Sequence, residues 1–136
     1  MNTSSVKIKV RYQETDRMGM VYYSNYLIWF EIGRTELFNK IGIPYTDLED
    51  KGYRLVTTEA YCKYKTPVSY EDEIEILTQL TEFKNPIMTF NYNIRKGKAL
   101  IASGETKHAF TNIKGKVTRM PQFLVEALHT KGAKDG

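Results

Sequence analysis

The sequence predicts an α+β domain in which one antiparallel sheet curls around a single long helix. Three observations lead there. A strand pattern comes first, a long apolar segment of helical periodicity follows, and four stretches of alternating character come after it. Turn signals separate consecutive late stretches, which makes them antiparallel neighbours. A helix that is apolar on more than one side is not covered by a flat sheet, so the sheet must curve around it.

The elements follow in order. Residues 6–12 set Val6, Ile8, Val10 and Tyr12 against Lys7, Lys9 and Arg11, the period of a half-buried strand. A polar loop containing Gly19 spans 13–20. From Tyr22 onward, Tyr23, Tyr26, Leu27, Phe30, Arg34, Leu37, Phe38 and Ile41 recur at helical spacing, which predicts a helix of about five turns. Ile28, Trp29 and Ile32 spread apolar character to further faces, so the helix reads as buried. Gly33 sits in its middle, where glycine costs about 1 kcal/mol relative to alanine; close approach of the sheet is the expected compensation. Gly42-Ile43-Pro44 ends the helix, and 45–51 reads as a short helical turn.

The rest is mostly strand. Val56, Thr58, Ala60, Cys62, Tyr64 and Thr66 share one face, with Glu59, Lys63 and Lys65 on the other. Ile74, Ile76, Thr78 and Leu80 alternate with Glu73, Glu75 and Gln79. Met88, Phe90, Tyr92 and Ile94 alternate with Thr89, Asn91, Asn93 and Arg95. Ala102, Gly104, Thr106, His108 and Phe110 make the last face, with His108 read as a packed, hydrogen-bonded core residue. Met120-Pro121 opens a final helix over 122–129, and 130–136 reads as a frayed end of one domain spanning 1–136. Tyr61, Leu77, Phe83 and Ile101 fall on the reverse face of the sheet, which predicts that another subunit covers it.

Composition narrows the function classes. The chain of 136 residues is 41% hydrophobic and 26% charged, the balance of an ordinary globular domain. No apolar run is long enough to span a bilayer, and residues 1–7 lack the apolar stretch of a secretory signal. Those features predict a cytoplasmic protein without a membrane span. The lone Cys62 excludes an intramolecular disulfide framework and a cysteine-rich zinc site. With two distant histidines, no metal site is expected. The net charge of +4 suits an anionic ligand but falls short of the dense basic clusters of a nucleic-acid binder.

Asp16 is the residue that stands out. It lies in the loop between the first strand and the long helix, with Gly19 after it to allow a turn that other residues resist. The helix start near Tyr22 to Asn25 offers unpaired N–H groups and positive dipole character. An acid beside oriented N–H donors suits acyl transfer: the carboxylate attacks a carbonyl or deprotonates water, and the amides hold the oxyanion. Spacing alone leaves a simple capping role as the alternative. Glu31 and Glu36 on the helix are the other candidate acids, and Glu31 with Arg34 has the spacing of an ion pair.

The segment RYQETDRMGMVYYSNYLIWFEIGRTELFNKIG, residues 11–42, resembles the signature of hotdog-fold acyl-CoA thioesterases, the 4-hydroxybenzoyl-CoA thioesterase class and its YbgC-like branch. Tyr12, Thr15-Asp16, Gly19, Val21-Tyr22, Asn25-Tyr26, Trp29-Phe30-Glu31, Arg34 and Thr35 carry it. The likeness continues through Pro67, Tyr70-Glu71-Asp72, Gly104-Glu105-Thr106 and Arg119-Met120-Pro121. It implies a hotdog fold, a sheet wrapped around one helix. It also implies hydrolysis of an acyl-CoA to free acid and CoA, with Asp16 as nucleophile or general base and the Tyr23 amide as the oxyanion donor. Many YbgC-like sequences have histidine where this chain has Tyr23, so a histidine-assisted variant of the mechanism is not expected here.

Gly19, Val21, Tyr22 and Tyr26 are the expected substrate contacts, with Lys63 and Lys65 meeting the CoA phosphates; Arg95, Lys96 and Lys98 are the alternative basic group. The resemblance implies no cofactor beyond the coenzyme A of the substrate, either an acyl-CoA or an acyl carrier protein thioester as partner, and a homo-oligomer, a dimer or a dimer of dimers (homotetramer). Two rival readings remain: a hotdog protein that binds acyl thioesters or a protein partner without turnover, and a basic nucleic-acid-binding domain. The strand aromatics share faces with aliphatic residues, as core does, which disfavours the second.

Overall fold

The structure, a computed structural model, describes residues 2–130. Five strands and three helices follow in the order β1 (Thr3–Lys9), α1 (Asn25–Lys40), α2 (Tyr45–Asp50), β2 (Tyr53–Tyr64), β3 (Glu73–Lys84), β4 (Ile87–Lys96), β5 (Ala99–Asn112) and α3 (Gln122–Thr130), with one 3-10 turn at Tyr12–Glu14 before α1. The strands form one antiparallel sheet in the order β1-β3-β4-β5-β2, so β1 and β2 are its edges. The α+β class and the sheet around a long helix are as expected from the sequence. Thr130 belongs to α3 rather than to a frayed end; residues 131–136 lie outside the described residues.

Two boundaries differ from expectation. The first strand stops at Lys9 and Tyr12 enters the 3-10 turn, 76% exposed. The cause is Glu14, whose carboxylate accepts the Arg11 N–H at 2.8 Å and so diverts the backbone from the sheet. Helix α1 starts at Asn25, not Tyr22, because residues 22–24 make turn bonds instead: Asn25 N–H to Tyr22 O and Tyr26 N–H to Tyr23 O.

The central helix is buried on one side only. Tyr26, Trp29, Phe30, Gly33, Leu37 and Phe38 face the sheet, while Leu27 and Ile28 are 41% and 47% exposed. Close approach explains Gly33: a Cβ there would run into the Thr78 hydroxyl on β3. Gly104 on β5 plays the matching part, because a Cβ would overlap the Phe30 ring. With both glycines bare, Phe30 lies flat on Tyr92, centroids 4.2 Å apart and planes at 9°, an aromatic contact available only at this spacing.

Three irregularities in strand pairing correct the predicted faces. In β2 the register shifts between Thr57 and Glu59, so Leu55 and Thr57 point inward before it and Ala60, Cys62 and Tyr64 after it. Val56 and Thr58 therefore leave the inward face, and Val56 is 45% exposed. A shift between Leu80 and Glu82 lets Phe83 pack against the core. The shift after Ile94 skips Ile101, which is buried in the core. Each bulge adds one residue and flips the alternation beyond it. Of the four residues predicted for an apolar reverse face, Tyr61 is exposed and Leu77 half-buried, and the other two belong to the core.

A chain of hydrogen bonds crosses the interior between α1 and the sheet. The Arg34 guanidinium donates to Tyr92 Oη at 3.0 Å, which leaves the Tyr92 O–H to donate to Thr106 Oγ1 at 2.6 Å. His108 follows, with Nε2 2.7 Å from Thr106 Oγ1 and Nδ1 3.2 Å from Thr57 Oγ1. Because arginine has no acceptor, one ordering satisfies every member: Thr106 O–H donates to Nε2, and Nδ1–H to Thr57. His108 is thus neutral core, as expected. Burial, and then the charge of Arg34, pushes its pKa down to about 3.

The loop that precedes α1 hangs from Glu14, which is 3% exposed. Its carboxylate accepts the Trp29 indole N–H at 2.9 Å and the Arg11 N–H at 2.8 Å, and pairs with the Arg11 guanidinium at 3.4 Å. Its main-chain oxygen accepts both the Tyr22 N–H and the Asn25 side-chain amide, at 2.9 Å and 2.8 Å. One residue therefore joins strand end, loop and helix start.

Two outcomes follow from these networks. Replacing Glu14 by Gln leaves one oxygen for the buried donors and removes the charge, at an expected cost of about 2–3 kcal/mol. Arg11→Ala, which removes an exposed partner, should cost about 1 kcal/mol or less; urea unfolding of both variants checks the order. For His108, the folded pKa of about 3 lies below the ordinary histidine value of 6.5, so the unfolded chain takes up the proton first. Stability is then complete above that range and falls as pH drops through it, with a slope approaching about 1.4 kcal/mol per pH unit from this residue. Denaturation between about pH 6.5 and 5, above the carboxylate range, should show a shallower slope in His108→Gln.

Candidate active site

The chain between β1 and α1 makes a tight loop closed at both ends. Thr15 bridges to Val21, the Asp16 N–H donates to Met20 O at 2.7 Å, and the Gly19 N–H returns to Asp16 O at 3.1 Å. Gly19 has φ +80, the left-handed conformation that the turn needs. The loop is pinned from outside by the 67–72 connection: Val21 N–H donates to Val68 O and Met20 bridges to Ser69. Within that connection, Asp72 caps Ser69 and pairs with Lys96 at 3.0 Å. The Ser69 N–H and then Lys96 hold its carboxyl below the usual range.

Asp16 sits exposed at the loop's tip. Its Oδ1 accepts the N–H groups of Met18 at 2.8 Å and Met20 at 3.2 Å. Those bonds fix the carboxylate plane and leave Oδ2 unengaged among the described residues. The Tyr23 N–H, just ahead of α1, likewise meets no acceptor among the described residues. An anchored carboxylate and a free amide at a helix start thus stand seven residues apart on one pinned segment. Its amide is a donor of the kind that stabilises an oxyanion.

Beside the Tyr23 amide opens a cleft of about 310 Å3, lined by Val21, Tyr23, Tyr26, Tyr64, Lys65, Thr66 and Pro67; Asp16 stands on the adjoining loop and is not among the lining residues. Its wall is a stack of tyrosines. Tyr64 meets Tyr26 edge-on at 4.9 Å and Tyr23 at 6.4 Å, and its hydroxyl donates to Tyr23 O at 3.2 Å. Burial, with nearby Cys62, pushes Tyr64 up to about 12, and burial also raises Tyr26. The wall is therefore uncharged, with Lys65 as the one cation in the lining. Burial raises the Cys62 thiol as well, which disfavours a thiolate nucleophile.

The structure gathers Val21, Tyr23, Tyr26 and Lys65 on this cleft. Gly19 and Tyr22 lie in the adjoining loop, with the Tyr22 ring 4.7 Å from that of Tyr23. Lys63 is placed apart: it pairs across from Ser103 on the outer face, whereas Lys65 follows the end of β2 and turns back to Ile101 O. The alternative acid Glu31 is exposed on α1. Its expected ion pair with Arg34 does not form, because Arg34 turns inward to Tyr92. Among the described residues, no three His, Cys, Asp or Glu side chains are grouped to hold a metal, and no helix is long and apolar enough to cross a membrane.

Sequence reasoning did not single out Glu14, Asn25 or Trp29 as parts that shape the site. Their signal was available as E-x-x-x-x-x-x-x-x-x-x-N-x-x-x-W, an acid before the loop and two polar donors one helical turn apart. Nothing in a single sequence says that such an acid is buried.

Comparison with known proteins identifies the family. Residues 10–128 match the model of the thioesterase-like superfamily. The acyl-CoA thioesterase YbgC of Haemophilus influenzae is 25% identical, over 94% of this chain and 96% of its own length. A hypothetical protein of Aquifex aeolicus known from its crystal structure superposes with a TM-score of 0.88 at 34% identity, covering 92% of this chain and 98% of that one. The DHNA-CoA thioesterase of Staphylococcus aureus gives 0.92 at 27% identity, covering 99% and 94%. With a matched model over most of its length and the curled sheet around one helix, the chain belongs to the thioesterase-like superfamily of hotdog-fold thioester hydrolases.

Proposed function

We propose that the cleft beside Asp16 is where an acyl-CoA thioester is cut to a free carboxylic acid and coenzyme A. The observation that carries this reading is the pairing of an anchored carboxylate, Asp16, with the unbonded Tyr23 N–H on one pinned segment. Asp16 Oδ2 either attacks the thioester carbonyl, giving a mixed anhydride that water then opens, or takes a proton from the water that attacks. In both routes the carbonyl oxygen gains negative charge and the Tyr23 amide receives it. The C–S bond breaks, and the thiolate of coenzyme A leaves and is protonated. Preorganised donors of this kind contribute about 2.7–4 kcal/mol to such a step. No metal or redox cofactor takes part in this chemistry.

The acyl group would lie along the tyrosine wall, with Val21 and Tyr26 against it and the loop residues Gly19 and Tyr22 at the mouth. Lys65 stands where a CoA phosphate would meet the cleft; Lys63, on the other face, would act only through its charge. An acyl carrier protein thioester offers the same reacting atoms and stays within the proposal. A cytoplasmic location is part of the proposal, since a chain with a single cysteine suits a reducing compartment.

The protein is proposed to work as a homo-oligomer, a dimer or a dimer of dimers. The support comes from α1 and the edge strand β2, including Val56 and Tyr61 on the reverse face of the sheet. Leu27 and Ile28 on α1, and Val56, Tyr61 and Tyr64 on the edge strand β2, are large, apolar and exposed, and an unpaired edge is a surface that a second copy can extend.

The deciding experiment is thiol release from short, long and aromatic acyl-CoAs and from acyl carrier protein thioesters, with the protein beside Asp16→Asn. The expected outcome is a loss of about 10²–10⁴-fold in the variant, with its melting unchanged because Asn keeps Oδ1 for the Met18 and Met20 amides. A single turnover in ¹⁸O-water then separates the roles, since only a nucleophilic Asp16 acquires label. Activity in both proteins would move the chemistry to Glu31 or Glu36, and activity in neither would favour binding without turnover.

A further inference from the structure

A second cavity, of about 290 Å3, lies along the same seam between α1 and β2, lined by Glu31, Arg34, Thr35, Phe38, Tyr45, Leu55 and Thr57. Phe38 and Leu55 give it apolar surface, and Glu31, Arg34, Thr35, Tyr45 and Thr57 bring polar groups to it. The Arg34 guanidinium is half-buried, has no carboxylate partner among the described residues, and spends one N–H on Tyr92. The interior hydrogen-bond chain that starts at Arg34 returns to the cavity at Thr57, whose oxygen accepts from His108 Nδ1. The Thr57 O–H hydrogen is then left for the cavity. Both ends of that chain thus offer donors to one space. The Arg34 N–H groups not spent on Tyr92 meet no acceptor among the described residues, so the cavity holds donors that an oxygen atom can satisfy.

The position of the cavity says what would fill it. Tyr26, on the cleft beside Asp16, and Arg34 are eight residues apart on α1, about 12 Å along the axis. Between them the inward face of β2 is open in a single chain, since Thr57 and Ala60 are exposed although they point toward the helix side. An extended chain of about ten bonds covers that span at the ~1.2 Å per bond of an extended backbone.

Resting on the proposed thioesterase reading, we propose that Arg34 and Thr57 form a distal polar subsite. It receives a hydrogen-bond-accepting oxygen at the far end of the acyl chain, so the enzyme prefers oxygenated medium-chain acyl thioesters to plain alkyl ones. Glu31 at the rim accepts a hydrogen bond in turn, which suits a terminal hydroxyl. The arrangement gives selectivity because a site built to bond a polar group leaves its own donors unpaired when the group is missing.

The test compares decanoyl-CoA with its terminal-hydroxyl and terminal-carboxyl counterparts at matched length. The expected result is a kcat/KM at least about tenfold higher for an oxygenated chain. Arg34→Met should bring the three within about twofold, and Arg34→Lys, which keeps the charge, should restore part of the difference. Thermal melting shows whether each variant folds. If Arg34→Met does not fold, calorimetric binding of the same three compounds to Asp16→Asn reads the preference directly, without turnover. Equal or better handling of plain decanoyl-CoA by the unaltered protein, in turnover and in binding, overturns the subsite and leaves the thioesterase reading standing. Failure to hydrolyse any thioester contradicts the thioesterase reading instead, and the binding comparison then decides the subsite by itself.

Discussion

A buried carboxylate before the first helix is the constraint from which the rest of the site is hung. Glu14 accepts the Trp29 indole and the Arg11 amide through its side chain, and Tyr22 and Asn25 through its carbonyl oxygen. Two residues later comes Asp16, and one residue after Tyr22 comes the Tyr23 amide. Glu14 therefore anchors the ends of the segment that carries both, while the loop's own bonds to Met18, Gly19 and Met20 hold Asp16 within it. Such an arrangement matters for acyl transfer, because a carboxylate and an oxyanion donor must keep their separation to within a fraction of an ångström while the substrate changes geometry. It also explains why the loop can project Asp16 into solvent and still hold its plane through Met18 and Met20.

The second constraint is the distance between helix and sheet. Gly33 and Gly104 let α1 sit close on β3, β4 and β5, where Phe30 stacks on Tyr92. The seam between the helix and β2, the far edge of the sheet, stays open at Thr57 and Ala60. The cleft of tyrosines lies at one end of the seam and the Arg34 cavity at the other. The buried polar chain from Arg34 through Tyr92, Thr106 and His108 to Thr57 crosses the interior to that open seam.

Much of this was legible in the sequence. The class of fold followed from one helical and four alternating patterns, because residues 74–80, 88–94 and 102–110 keep their period through to the core. The placement of Asp16 and Gly19 in one turn followed from the loop's composition, and Gly33 marked the close approach. What misled was insertion and burial. A bulge adds a residue without any consistent signature, so Val56, Phe83 and Ile101 were assigned to the wrong sides. The spacing of Glu31 and Arg34 suggested an ion pair, yet spacing cannot weigh solvent against the Tyr92 hydroxyl. Glu14 reads as one more surface acid until the fold closes over it. The helix reads as buried because it is apolar on more than one face, whereas Leu27 and Ile28 face outward in a single chain.

The most direct measurement is a crystal structure of the protein with an unreactive acyl-CoA analogue in which a methylene replaces the thioester sulfur. The account predicts the ketone oxygen within hydrogen-bond distance of the Tyr23 N–H, with Asp16 Oδ2 facing the carbonyl carbon and Oδ1 still held by Met18 and Met20. A carbonyl seated against Glu31 or Glu36, with the Tyr23 amide bonded elsewhere, would contradict it.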